Sequence, residues 1–456
     1  MMFCLDDGAE LLYGPASLDG ARTEVISTHG VEDAPTKVLG SGRQIGADVE
    51  EGFWIAVLPF DHAAADSDLA ALADGLNEDI TTGLSRFSYL RVIARSTTLS
   101  LGKERTDARS MGRKLGASYL IEGTLRRAGE SLRLSVQLVE VSNGAHLWAE
   151  KYERNFDAQS LFDLQDDLAS RIVATVADVN GVLPRSMGAR VRDRDPKQLS
   201  PYDAVLRSFG YSHRLTAESV ADAISVLKRA VQEAPAYVDA WAVLAWMLTQ
   251  DYGQGFEVEP DPLVQAATAA RKAVELGASA HLAWFSLAQV HFFEKQFERF
   301  RYAAERAVEL NPLDGHTIAS LGELLTFAGD LDRGSELVER AKKLNPNHPG
   351  WYWYADFYRE YRRANYHAAR DFALKVNLPG HWAQPMLIAA ACGQLGEIDA
   401  CRNAVRDLLA LRPDITSTVA KDMAKWWEPA MVEHLVDGLR KAGMDVPDRL
   451  KSITEV

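Results

Sequence analysis

The chain has 456 residues, 47% hydrophobic and 25% charged, with a formal net charge of −14. This composition can fill a large core and suggests about two to four domains, while the carboxylate excess repels phosphate backbones and argues against a nucleic-acid partner. No apolar run reaches the roughly 20 residues that span a bilayer, Met1–Leu12 carries three acidic and no basic residues, unlike a secretory leader, and the three cysteines have no metal-ligand spacing; the expectation is a cytoplasmic protein with Cys392 and Cys401 as buried thiols.

Residues 1–52 mix Gly, Ser, Asp and Thr with isolated apolar pairs and read as a poorly ordered arm. The run Gly40-Ser41-Gly42-Arg43-Gln44-Ile45-Gly46 lacks the Gly-Lys-Ser/Thr ending of a phosphate loop and reads as a flexible linker. Phe53–Phe60 is a nearly continuous apolar run, as in a buried strand. Asp66 or Ser67 can cap the helix that follows, whose Leu69, Leu72, Leu76, Ile80 and Leu84 share one face. Leu90–Ala94 predicts a second strand, and Asp107–Leu115 a second helix stopped by Gly116. Three further strands are expected at Tyr119–Arg127, Ser131–Glu140 and Ala145–Arg154, joined by turns at Ala128-Gly129-Glu130 and Asn143-Gly144. The apolar positions from Leu161 to Val179 predict one long helix over about Leu161–Val182. Residues 53–182 therefore read as a small mixed α/β domain, and 183–200, rich in Arg, Asp, Pro and Ser, as a linker.

From Pro201 onward the pattern is helical and periodic. Pro312, Pro346, Pro379 and Pro413 are 34, 33 and 34 residues apart, and Ala307 recurs as Ala341. From Ala230 to Ala273 the step is 43 residues, and the excess suggests an inserted loop at Asp251–Pro262. A period of this size signals helical hairpins that bury their apolar faces only by stacking. About six hairpins are expected over 201–412, with 413–456 as a cap and tail carrying Trp426 and Trp427. The fold class expected is α+β overall, a small mixed α/β domain followed by an all-α solenoid.

Two resemblances follow from these residues. Trp241, Leu244, Ala245 and Ala273, then Trp284, Leu287, Ala288, Ala307 and Pro312, resemble the tetratricopeptide (TPR) pattern. The α/β half resembles the TolB amino-terminal domain through Ile55–Phe60, Ala73–Ile80, Val92–Ser96, Leu115–Gly123 and Gly144–Glu150. Such a pairing implies the C-terminal part of bacterial regulators that begin with a class III adenylate cyclase or a winged-helix domain. Fifty leading residues are too few for that catalytic domain and lack a basic recognition helix. The expectation is therefore a relative of cyclases without their chemistry.

Catalytic constellations are weak. Asn77, Glu78 and Asp79 are expected on the exposed side of their helix, and Asp163, Asp166 and Asp167 suit a helix N-terminus without a metal. Arg95-Ser96-Thr97-Thr98 reads as a capped loop, and neither HExxH nor Gly-x-Ser-x-Gly occurs. No enzyme, cofactor or metal is expected. The TPR resemblance instead implies a concave groove for a protein or peptide partner, lined by Trp246, Phe285, Gln289, Phe292, Glu323, Trp351 and Tyr358. Trp351–Arg363 is crowded with aromatics, and Arg359, Arg362 and Arg363 suggest an acidic, extended partner segment. The function expected is a non-enzymatic adaptor in signalling or transcriptional regulation. The alternative is a ligand-sensing component related to cyclase regulators, whose small-molecule ligand is unknown.

Overall fold

The computed structural model describes residues 2–3, 10–11, 52–63, 66–101, 107–157, 160–210 and 216–447. Met2–Phe3 (β1) pairs antiparallel with Glu10–Leu11 (β2). The other residues of the expected arm up to Glu51, with the Gly40–Gly46 run, lie outside the described residues, as does the tail from 448.

The α/β half contains Trp54–Val57 (β3), Ser67–Leu84 (α1), Arg91–Val92 (β4), Arg95–Leu101 (α2), Ala108–Leu115 (α3), Tyr119–Ala128 (β5), Ser131–Glu140 (β6), His146–Asn155 (β7) and Leu161–Ala177 (α4). The strands lie in the order β4-β3-β5-β6-β7. Those connected through helices pair in parallel and those connected by tight turns pair antiparallel. Asp66 caps α1 by accepting from Asp68 N and Leu69 N, both at 3.1 Å, and Gly116 ends α3 at φ 67°. Leu69, Leu72, Leu76 and Ile80 of α1 are buried in one core with Leu168 and Ile172 of α4. Ala56, Ile93, Met111, Leu120 and Val141 form a smaller core on their own.

Four local expectations need correction. Asn77 is buried, and its amide donates to Val57 O at 3.2 Å and Leu58 O at 2.9 Å, so it ties α1 to the end of β3. Arg95–Thr98 is the first turn of α2, and not a loop. The long helix stops at Ala177. Asp178 adopts φ −49°, ψ 150°, and its carboxylate accepts from Asn180 N at 2.7 Å. A Cβ on Gly181 would lie 2.7 Å from Asp178 O, so the turn needs glycine. The supposed linker is then mostly helix: Val182–Arg192 (α5) buries Leu183, Met187 and Val191. The charged residues between them obscure that apolar stripe in the sequence.

The array follows as hairpins. They are Pro201–Ser208 (α6) with Ala217–Glu233 (α7), Val238–Gln254 (α8) with Pro262–Leu276 (α9), and His281–Phe293 (α10) with Phe297–Leu310 (α11). Next come Gly315–Phe327 (α12) with Leu331–Leu344 (α13), Tyr354–Arg362 (α14) with Tyr366–Val376 (α15), and Ala383–Leu395 (α16) with Ile398–Leu411 (α17). Ile415–Trp426 (α18) and Pro429–Lys441 (α19) end the described chain, with α19 packed on α16. The motif residues have visible tasks. The indoles of Trp241 and Trp284 donate to Pro235 O at 2.9 Å and Ala278 O at 2.8 Å, closing the turn before each helix. Ala273, Ala307 and Ala341 are fully buried where helices meet. The expected insertion is shorter than its sequence suggests, because Asp251–Gln254 continues α8; the Asp251 carboxylate then holds the loop by accepting from Val258 N at 3.0 Å and Glu259 N at 2.9 Å.

One apolar core runs from the sheet into the array. The turn after α1 inserts Phe87 and Tyr89 there. Tyr89 donates to Ala177 O at 2.6 Å, its ring lies 4.9 Å from Phe209, and Ser88 donates to Asp239 at 2.8 Å.

Candidate functional site: a recess on the inner face of the array

The first helices of successive hairpins, α8, α10 and α12, converge on a recess of about 100 Å³. Four of the nine residues expected in a partner groove line it: Trp246, Gln289, Glu323 and Trp351. Gln289 is fixed by the Thr249 hydroxyl, 2.7 Å from its Oε1, and by Ser320 at 3.4 Å from its Nε2.

The other five lie elsewhere. Phe285 and Phe292 are buried, Phe285 between Trp246 and His316 (5.7 and 5.8 Å between centroids) and Phe292 against Phe300 at 5.5 Å. Tyr358 is buried against Phe327 at 5.1 Å and Trp427 at 5.3 Å. Arg359 pairs with Asp356 at 2.7 Å and Glu360 at 3.2 Å, and Arg362 pairs with Glu428. Arg363 reaches Glu360 at 3.5 Å. The three arginines are thus matched by carboxylates of their own chain. The aromatic surplus of Trp351–Arg363 covers neighbours: Trp353 stacks on Phe372 at 5.5 Å, and the Tyr361 ring meets His434 of α19 at 4.5 Å.

The end of the chain completes the burial of Tyr358. After α17 the chain turns back, and Met423–Glu428 meets the C-terminal ends of α8, α10, α12 and α14. The Trp426 indole donates to Gly253 O at 2.9 Å and packs on Phe293 at 4.9 Å. Lys425 donates to Tyr252 O at 2.9 Å, and Lys295 donates to Lys425 O at 2.6 Å. A Cβ on Gly253 would stand 2.5 Å from Trp426, so glycine there permits the approach. Trp426 is itself part of the recess lining.

At the opposite ends of these helices, the turn Asp178–Gly181 docks on α12. His316 N donates to Asp178 at 2.6 Å, and the Asn180 amide lies 3.1 Å from His316 Nδ1. His281 donates to Asp314 at 3.0 Å, and Thr317 Oγ1 donates to Asp314 at 2.7 Å. Burial and the Asp314 charge push the Asp178 carboxyl up. Burial acts the same way on Asp314, but the hydrogen bond and charge of His281 prevail and hold it below the usual carboxylate range. The His316 ring also faces Trp246 at 5.0 Å and Trp351 at 5.4 Å. One residue therefore belongs to both the joint and the recess.

Glu323 is the group of the lining whose charge is least provided for. It has no hydrogen-bond or ion-pair partner among the described residues, and burial pushes its carboxyl up to about 8. His381, also on the lining, is pushed down to about 4 by burial and by Arg412.

Sequence reasoning missed the joint residues Tyr89, Asp178, Asn180, His281, Asp314 and His316. A partial signal existed in Asn180-Gly181, a turn dipeptide inside the predicted helix. Among the described residues no helix is long and apolar enough to cross a membrane, and no group of three or more His, Cys, Asp or Glu is placed to hold a metal ion.

Over residues 51–171 the chain matches the family model of the second domain of HilA/YgeH-like transcriptional regulators. It is also similar to a protein of Rhizobium meliloti (strain 1021) named "Putative adenylate cyclase 3", with 31% identity over 252 residues. That match covers 55% of this chain and 42% of the relative, so the chain spans less than half of that protein's length. Among solved structures, yeast Tom70 aligns with 83% of this chain and 71% of its own at 13% identity and a TM-score of 0.35. TolB from Acinetobacter baumannii aligns with 27% of each chain at 17% identity and a TM-score of 0.20.

Proposed function

We propose that the chain is a non-enzymatic regulatory module that works by binding a protein partner. On this reading residues 53–182 are a TolB amino-terminal-like domain, 201–412 a tetratricopeptide array and 413–456 its cap. The module acts as an adaptor in bacterial signalling or transcriptional regulation in the cytoplasm. The match to the second domain of transcriptional regulators supports the regulatory context. The observation that carries the reading is the meeting of Trp246, Gln289, Glu323 and Trp351 at one recess, where a partner could seat a side chain. The test is capture of partners by the Trp351→Ala variant, its fold checked by circular dichroism. Capture is expected to fall, and unchanged capture refutes the assignment. Incubated with ATP and a divalent metal, the protein is expected to make no cyclic AMP.

A second reading, ligand sensing, is favoured by the covering of Tyr358 by the chain's own Trp427 and by the place of Trp426 in the recess lining. What remains open is about 100 Å³, the scale of a small headgroup rather than a peptide. His316 then links an occupied recess to the turn at Asp178. A thermal-shift screen of metabolites tests this, since a ligand that binds only the folded state raises its apparent stability.

A further inference from the structure

We propose that the recess binds an organic cation, an alkylated ammonium headgroup, with Glu323 as counter-charge and Trp246, Trp351 and Trp426 as aromatic surroundings. This deepens the ligand-sensing reading and rests on it.

The choice of charge follows from the lining. Three indoles and the Phe293 ring contribute to it, together with one carboxyl, and no lysine or arginine does. Aromatic faces attract cations, and cages of this kind suit quaternary ammonium groups, which need no hydrogen-bond acceptors. An anion would meet the Glu323 carboxyl with no lysine or arginine of the lining to offset it. A bare metal ion would need several oxygen or nitrogen ligands, and the described residues include no such cluster. An alkylated ammonium asks for one negative charge and aromatic faces, which the Glu323 carboxyl and the three indoles supply.

Proton balance makes the idea specific. Without ligand, Glu323 keeps its proton up to about pH 8. When the cation enters, the carboxyl ionises and its proton leaves to solvent. Binding therefore tightens as pH rises, by up to about tenfold per unit below that value. Other titratable groups nearby behave differently. His381 stays neutral throughout this range. His316 is held at the joint with Asn180, near Asp178 and Asp314. From α18, Asp422 pairs with Arg412 at 2.6 Å and Lys425 at 3.5 Å. From α14, Asp356 pairs with Lys342 and Arg359. Lys295, at the end of α10, is pushed down to about 8 by burial, so the comparison is made below that pH.

The experiment titrates the full chain with choline, with tetramethylammonium and with 3,3-dimethyl-1-butanol, the uncharged isostere of choline. Tryptophan fluorescence reads binding, and calorimetry in two buffers of different ionisation enthalpy reads proton release. The expected result is saturable binding of the cations, at least tenfold weaker binding of the isostere, and proton release on binding. Glu323→Gln, which leaves no charge to bury and should remain folded, is expected to weaken cation binding at least tenfold and abolish proton release. Equal binding of the isostere, or an unaffected Glu323→Gln variant, overturns the cation assignment while leaving a ligand-binding recess in place. No response to any of these probes, together with a blank metabolite screen, overturns the ligand-sensing reading as well.

Discussion

Replacing Glu323 by glutamine should stabilise the protein, and the gain should depend on pH in a defined way. The carboxyl has an ordinary value of 4.5 and is pushed up to about 8 by burial. A raised acid pKa means that the unfolded chain loses its proton first. Its contribution to stability is intact below about pH 4.5 and is lost progressively as pH rises toward 8. Each unit corresponds to about 1.4 kcal/mol, and because Glu323 is only half-buried, solvent reduces the cost at pH 7 to about 1–3 kcal/mol. Glutamine cannot ionise and escapes that cost. Urea unfolding of both proteins between pH 5 and 8, followed by far-ultraviolet circular dichroism, measures the difference directly. The two should nearly coincide at pH 5 and diverge steadily above it. Asp178 shifts in the same direction, but it is present in both proteins and cancels in the comparison. Parallel stability profiles for the two proteins would refute the view that Glu323 is held uncharged.

Other expectations can be checked alongside. Gly253→Ala places a Cβ 2.5 Å from Trp426 and should cost about 1–3 kcal/mol through overpacking, with a change in tryptophan emission that reports displacement of the indole. His281→Ala removes one hydrogen bond to the buried Asp314, which keeps those from Thr317, and should cost about 1–3 kcal/mol in chemical denaturation. Asn77→Ala leaves two strand carbonyls without their donor and should lower stability by about 1–3 kcal/mol. Arg362→Ala removes a partly exposed pair with Glu428 and a 3.5 Å approach to the Tyr358 hydroxyl, so a change above about 1 kcal/mol would be unexpected.

What could be read from the chain alone divides along a physical line. Features set by near neighbours were legible: the Asp66 cap, the Gly116 stop, the alternation of Ser131–Glu140, and the alanines where helices cross. Helix α5 was obscured because charged residues surround Leu183, Met187 and Val191. The residues that meet at the recess were only partly legible. Trp246, Gln289, Glu323 and Trp351 follow from repeat position, but whether such a position faces an open groove depends on what the distant ends of the chain do. Nothing local to Tyr358 reveals that Trp427 will cover it. Likewise Asp178 and His316 are 138 positions apart, and only the assembled array makes them neighbours.

The return of Trp426 to α8 has a consequence for how such a protein can vary. An open stack of hairpins behaves like a spring, and it lengthens by whole units without disturbing the rest. Here Gly253 and Trp426, 173 positions apart, are held by one hydrogen bond and a close ring contact. Adding or deleting a hairpin between them would carry the two ends out of register and open the clasp. The hairpin number within that span is therefore fixed by geometry. Pulled apart, α8 and α18 should separate only after the Trp426 hydrogen bond and its packing on Phe293 have been lost.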